Sequence, residues 1–593
     1  MLDRVEPSYS DAATNWLSSF ESALSHSDDS ALGTLFREDA HWRDLLAFTW
    51  DIKTVSGSSA ILAEILPATK TAKPSSFEID PDRTPPRQVT RAGTECIEAI
   101  FRFATAFGHG TGIIRLIAEE NGQAKAWTLL TALDEIAGHE EQVGNARPSG
   151  TIYSRDFSGP NWLDRRVESS AFENRDPDVL VVGAGQAGLS IGTRLIQLGL
   201  DTLIVDREER LGDNWRLRYH ALTLHNQVHV NHMPYMPFPP NWPKYIPKDK
   251  IANWFEAYAE SMELNVWTET GFETATYDDD RQEWTAVLTN ADGNKREMKI
   301  RHIVMATGVS AVPIRPQLPG LDDFRGTVLH SGEYTEATQW KDKKALIVGT
   351  GNSGHDIAQD LYSHGAEVTM IQRGSTMIVN VEPSAQLPYA LYDEGPSMED
   401  CDLIVSSVPL ELQKKTHQLI TAQAKELDRS LLDKLESIGF KLDFGDDDTG
   451  WQFKYLEYGG GYYFNVGCSD LLAEEMISLL QSENMVRFTE SGLELKSGEI
   501  LSADLVVLAT GFEGQAEMTR RHFGDEVADR VGGIWGFEPE LQELRSMWTR
   551  TGQPGLWYIA GSFAQCRIYS KYLALQIKAC EEGLMPLTRP SRA

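Results

Sequence analysis

Two glycine turns carry the first legible chemistry of this chain. In "DVLVVGAGQAGLSIGTRLIQLG", Gly183, Gly185 and Gly188 follow an apolar strand and open a helix. In "KALIVGTGNSGHDIAQDLYSHG", Gly349, Gly351 and Gly354 do the same, with Asn352 and Ser353 at the helix start. The first glycine of such a turn permits the tight bend and the second lets the backbone approach a pyrophosphate. The third lets helix and strand pack closely. Free N–H groups at the helix start then hold the anion. The strand after the first turn ends in Asp206, and an acid roughly 20 residues on can take a ribose hydroxyl pair. The strand after the second ends in Arg373, with Ser375 and Thr376 beside it. A cation there suits a 2′-phosphate. One cradle therefore prefers free ribose hydroxyls and the other NADP(H), a pairing that suggests hydride passing between FAD and NADPH.

A second cluster is "YHALTLHNQVHVNHMPY", where His220, His225, His229 and His232 crowd together. His225 and His229 could share a helix face and hold a metal. Against this, the run alternates as extended chain does, contains no Cys or carboxylate, and leads into "MPFPPNWP". No metal is expected there.

These residues need elements to position them. A chain of 593 residues exceeds one hydrophobic core and implies several domains. Residues 10–138 begin as helix and continue in alternating stretches such as "CIEAIFRFATAF", which read as antiparallel strands of an α+β domain. Residues 139–176 are rich in Gly, Pro and Ser and read as a linker with one helix near Trp162 to Phe172. From Asp178 on, strand, glycine turn and helix alternate as in α/β folds. The expected division is a first dinucleotide domain at 177–338 and 500–590, and a second, with an insert, at 339–499. The net charge of −32 disfavours nucleic acid and anionic membranes as partners. Five cysteines without a CxxC argue against a disulfide framework and for a reducing compartment. No signal peptide or apolar span is expected, so the chain reads as cytoplasmic.

Between the cradles, "FRGTVLHSGEY" sets Phe324, Gly326, His330 and Tyr334 as FxGxxxHxxxY. With both fingerprints, "GDNW", "VMATG" and "LVVLATGF", residues 175–585 resemble the class B flavin-dependent monooxygenases, the plant YUCCA-type and fungal branches above all. The resemblance implies two Rossmann-type domains binding FAD and NADPH. NADPH would reduce FAD, molecular oxygen would add at the flavin C4a as a hydroperoxide, and one oxygen atom would pass to a small organic substrate. N- or S-oxygenation or oxidative decarboxylation of a 2-oxo acid is implied. Tyr334 stands where Baeyer–Villiger members carry tryptophan, so ketone oxidation is the alternative. A flavin reductase or oxidase without oxygen transfer is a further one. Trp215, Thr307 and Gly511 fall on cofactor-contacting segments of the family, and Asp213 replaces a usual glycine. The family asparagine by the flavin C4a falls at His225, with Asn226 beside it, and both are candidates. An amide donor is the better chemical match. His330 is expected to organise the junction between domains.

The N-terminal domain resembles the nuclear-transport-factor-2-like fold, which can hold a pocket or pair into homodimers. His41, Arg43 and Asp44 could line that pocket, although such residues in a fused domain are more often structural. Within the insert, 409–440 reads as a surface helix with Leu412, Leu419, Ile420 and Leu427 at helical spacing, and the proline-rich 377–400 as a lid over the substrate channel.

Overall fold

The computed structural model describes residues 8–120, 122–148 and 158–589. The N-terminal domain opens with helix α1 (Tyr9–His26), started by a capping box in which Ser8 and Asp11 bond each other's backbone N–H. Helices α2 (Asp29–Leu35) and α3 (Ser58–Ala72) complete a helical layer. They cover one face of a sheet of β1 (Phe36–Leu45), β2 (Ile52–Ser56), β3 (Ser75–Ile79), β4 (Arg87–Arg91), β5 (Thr94–Ala104), β6 (His109–Ala118) and β7 (Ala124–Leu133). The strand order is β2-β1-β7-β6-β5-β3, with β4 beside β5. All neighbours are antiparallel except β1 and β7. Trp16, Phe20, Phe36 and Phe77 stack edge to face inside it.

Helix α4 (Trp162–Ala171) lies where one was expected in the linker, capped by Asn161. The first dinucleotide sheet contains β8 (Val179–Val182), β9 (Thr202–Val205), β10 (Val266–Trp267), β11 (His302–Met305) and, later, Leu556–Tyr558. All are parallel, in the order β10-β9-β8-β11 and then Leu556–Tyr558. Every residue of β8 and β9 is buried, as a strand covered on both faces must be. Helix α5 (Gln186–Gln197) follows β8.

The second sheet is β12 (Thr327–His330), β13 (Lys344–Val348), β14 (Glu367–Gln372), Ser478–Gln481 and Leu505–Leu508. It too is parallel, with Leu505–Leu508 between β12 and β13. Helix α6 (Asn352–Ser363) follows β13. The domain limits thus differ from those expected: β12 and Leu505–Leu508 belong to the second sheet. The chain crosses between domains after each fingerprint region, and the crossings at Val312–Pro313 and Phe512–Glu513 pair as an antiparallel ribbon.

The insert forms α7 (Met398–Ser406), α8 (Leu410–Leu427) and Arg429–Ser437. Its helical spacing does not mark a single buried stripe. Leu412 packs with Ala92, Cys96 and Trp127 of the N-terminal sheet, whereas Leu419 and Leu427 are each 51% exposed. Among the described residues no helix is long and apolar enough to cross a membrane.

Candidate active site

Gly183 turns with φ +105°, and a Cβ on it would stand 2.7 Å from the Ala306 carbonyl oxygen. A Cβ on Gly188 would stand 1.8 Å from the Gly183 carbonyl oxygen. Neither position admits a side chain. Gly185 caps α5, and Asp206, at the end of β9, accepts from Ala184 N at 2.7 Å and Glu208 N at 3.0 Å. The acid is therefore held at the lip of the cradle, as ribose recognition needs. Trp215 stacks on Phe563, centroids 6.2 Å apart. Its Nε1 and the Thr307 Oγ1 are buried without a protein partner among the described residues. Buried donors of this kind are normally paired, so a dinucleotide edge fits here. Asp213 starts a one-turn helix, Asp213–Arg216, and its carboxylate takes Arg216 and the Arg210 N–H.

In the second cradle Gly349 has φ +120°, and its Cβ would stand 2.3 Å from the Ala509 carbonyl oxygen. A Cβ on Gly354 is equally closed off, at 2.4 Å from the Gly349 carbonyl oxygen, but one on Gly351 would meet nothing within 4 Å beyond its own turn among the described residues. That open backbone suits a phosphate. The Asn352 side chain is already committed, since its Oδ1 accepts from Phe464 N at 3.1 Å. Ser353 remains half-buried on the first turn of α6. Arg373 is exposed, and no carboxylate pairs with it among the described residues. Thr376 does not stand beside it as expected: it is 3% exposed and its hydroxyl meets Thr350 at 2.7 Å. Ser375 is drawn to Asp443, whose carboxyl is lowered although burial raises it, because Lys454, Ser375 and the Gly445 N–H outweigh burial.

Three side chains fix the region where the chain crosses between the domains. His330 is fully buried. Its Nδ1 accepts from Gly332 N at 3.1 Å, which leaves Nε2 to donate to the Gly511 carbonyl at 3.0 Å. Gly511 (φ +85°) thus serves the crossing itself, its carbonyl also taking Ile314 N at 3.0 Å. Tyr334 donates to Asp360 at 2.6 Å and Tyr219 to Asp356 at 2.5 Å. Tyr219, from the first domain's side of the junction, and Tyr334, which follows β12 of the second sheet, therefore grip acids one turn apart on α6. Burial raises the Asp356 carboxyl, against the opposing pull of His225, Tyr219 and Arg218.

The four histidines do four different things. His220 is exposed. His229 Nε2 stands 3.5 Å from Asp393. His232 Nδ1 accepts from Phe238 N at 2.9 Å; burial, then Arg567, holds its pKa down to about 4. His225 meets Phe464 edge-on, centroids 5.7 Å apart. Strand Thr223–Gln227 brings His225 and Asn226, both half-buried, toward α6. Asn226 Nδ2 donates to the Tyr389 hydroxyl at 3.1 Å, and Gln386 Nε2 donates to the His225 carbonyl at 2.9 Å. Both partners come from the proline-containing segment Ser384–Asp393. Beyond Tyr389 an aromatic wall continues through Trp451, Tyr462 and Phe464. Sequence reasoning flagged the loop but not these partners, because nothing local marks a residue 163 positions away as a neighbour.

In the N-terminal domain His41 is 4% exposed and bonds Ser56 at 2.8 Å. Asp44 is fully buried, accepting from Thr131, Thr49 and Phe48, and burial pushes its carboxyl up to about 6. Arg43 points out of its own domain, to Glu543 at 2.6 Å, Tyr569 at 3.2 Å and the Ser406 carbonyl.

Residues 180–393 match a family described as pyridine nucleotide-disulphide oxidoreductase. The chain is 29% identical over 338 residues to a probable indole-3-pyruvate monooxygenase, YUCCA3, of Arabidopsis thaliana, covering 56% of this chain and 72% of that one. It is 33% identical over 218 residues to indole-3-pyruvate monooxygenase YUCCA1 of Oryza sativa, covering 37% and 53%. Two solved structures share the fold. Cyclohexanone-bound cyclohexanone monooxygenase has TM-score 0.52 and 17% identity over 69% of this chain and 88% of that one. Oxidized steroid monooxygenase bound to NADP has TM-score 0.51 and 18% identity over 69% and 85%.

Proposed function

We infer that this chain is a class B flavin-dependent monooxygenase, with FAD in the first cradle and NADPH in the second. The observation that carries this is the junction: two closed glycine cradles joined by paired crossings, with His225 and Asn226 brought against the second domain's Asp356 and the Ser384–Asp393 segment. The similarity to indole-3-pyruvate monooxygenases supports the same reading. Bound in this cleft, FAD would supply the oxygen-activating chemistry and NADPH the electrons. The protein's part is to hold, orient and shield. Gly185 and Gly351 admit the pyrophosphates, Asp206 takes the ribose hydroxyls, and Arg373 takes the 2′-phosphate. Asn226 offers an amide N–H and His225 a ring nitrogen where charge develops on a reacting oxygen. Trp451, Tyr462 and Phe464 exclude water from that side.

The substrate is a small organic molecule, oxygenated at nitrogen or sulfur or decarboxylated as a 2-oxo acid. The N-terminal domain reads as nuclear-transport-factor-2-like, since three helices cover one face of a mostly antiparallel sheet. A cytoplasmic location, where NADPH is supplied, fits this activity. The purified protein should show a flavin spectrum, bleach with NADPH, and on admission of oxygen pass through a long-lived absorbing species distinct from oxidised and reduced flavin. Direct return to oxidised flavin with stoichiometric peroxide would overturn the oxygen-transfer reading in favour of an oxidase. Turnover of a cyclic ketone to a lactone would establish the Baeyer–Villiger alternative.

A further inference from the structure

The segment covering the candidate site is a strap with two ends. At one end, Gln386 donates to the His225 carbonyl, Tyr389 receives the Asn226 amide, and Asp393 stands near His229. At the other end, helix α7 is bolted to the N-terminal domain. Asp400, 3% exposed, takes Arg83 at 2.9 Å, the Thr84 N–H at 2.9 Å and the Thr84 hydroxyl at 2.5 Å. Arg115, 1% exposed, donates to the Ser407 hydroxyl at 2.7 Å. Arg43 donates to the Ser406 carbonyl.

Between these ends Asp402 makes a two-pronged pair with Arg567, both contacts at 2.7 Å, and accepts from Tyr392 at 2.7 Å. Arg567 is 4% exposed. It spends its remaining donor on the Val230 and His232 carbonyls, at 2.9 and 2.7 Å. Those carbonyls lie directly after the candidate catalytic pair. A series of mostly charge-assisted bonds thus runs from the N-terminal domain, through α7 and Arg567, to the backbone after Asn226, while the neutral Gln386 contact meets the carbonyl before it. Such bonds are short, directional and costly to leave half-made, which makes the series rigid.

We propose that the N-terminal domain serves the reaction by anchoring this strap, and that Tyr389 and the Asp402–Arg567 pair are positioning residues that hold Asn226 and His225 in place. The proposal rests on the reading of Asn226 and His225 as the pair facing the flavin. It gives the appended domain a role without a second active site, and it explains why Arg43 points outward.

The test uses the full-length protein and the variants Arg83→Ala, Thr84→Val and Asp402→Asn. Thr84→Val is the mild substitution, losing one hydroxyl contact while keeping the fold. Backbone amide exchange over residues 223–231 is measured by mass spectrometry without nucleotide. Peroxide released per NADPH consumed and the rate of flavin reduction by NADPH are measured on the flavin-loaded protein. Exchange at 223–231 should rise roughly threefold or more in each variant. The peroxide fraction should rise in parallel, with flavin reduction unchanged in Arg83→Ala and Thr84→Val. Unchanged exchange at 223–231 overturns the strap, as does faster exchange with no increase in peroxide. A protein that retains no flavin sinks the functional reading instead, and the exchange arm then decides the strap by itself.

Discussion

The two glycine cradles share a fold plan and differ in how finished they are. In the first, Asp206 is tied to the loop it serves by the Ala184 and Glu208 N–H groups. In the second, Arg373 stands in solvent with no carboxylate paired to it among the described residues. The first is built as a permanent seat and the second as a docking place. That difference suits a resident prosthetic group beside a nucleotide that comes and goes. The helices behind them differ too. Ser190 on α5 is merely buried, whereas Asp356, at the matching position of α6, reaches across the junction to Tyr219.

Substitutions can break this contrast, beginning with the largest expected effect. Gly188→Ala would drive a methyl into the Gly183 carbonyl, costing about 3 kcal/mol of overpacking and the bound flavin. Gly351→Ala meets open space and should leave the melting temperature unchanged while weakening NADPH. Thermal unfolding and retained flavin absorbance separate the two. Arg373→Ala should raise the Kd for NADPH roughly 10- to 100-fold, the worth of a charged hydrogen-bonded contact, and leave that for NADH alone. Equal losses for both nucleotides would remove the 2′-phosphate assignment. Asp206→Asn, keeping an acceptor but losing the charge, should cost about 1 kcal/mol of stability and some flavin affinity, seen on dilution.

The smallest effect is one of pH. Burial raises the Asp356 carboxyl, so the folded protein holds that proton more tightly than the unfolded chain. Its contribution is therefore full below the ordinary carboxylate range and is lost as pH rises through the elevated value. Asp356→Asn should flatten that part of the stability-versus-pH curve, measured as denaturant midpoints. An unchanged curve would mean that Asp356 does not titrate in the junction.

Legibility followed distance along the chain. Gly183, Gly188, Gly349 and Gly354 could be read because a tight turn and its helix are encoded within a few residues. Asp206 and Arg373, proposed here for the two riboses, lie one strand further and fall at the strand ends where the sequence put them, since a βαβ unit has a fixed length. The Thr376 assignment failed because its direction depends on Thr350, which the local pattern cannot orient. The partners of Arg43, Glu543 and Tyr569, could not be read, because a strand's pattern does not show that another domain waits beside it. The exchange of β12 and Leu505–Leu508 into the second sheet was equally hidden, since a short apolar strand bears no mark of its partner.

By itself, then, the sequence determined the two nucleotides and the α/β architecture that holds them. Only the tertiary structure decided that Tyr389 and Gln386 hold Asn226 and His225, and that His330 locks the crossing to Gly511. It also brought Asp400 to Arg83 of the appended domain and Asp402 to Arg567. The physical reason is that a turn or a helix start is specified by neighbouring dihedrals and hydrogen bonds. A buried ion pair between distant residues forms only after the core has brought them together and excluded water.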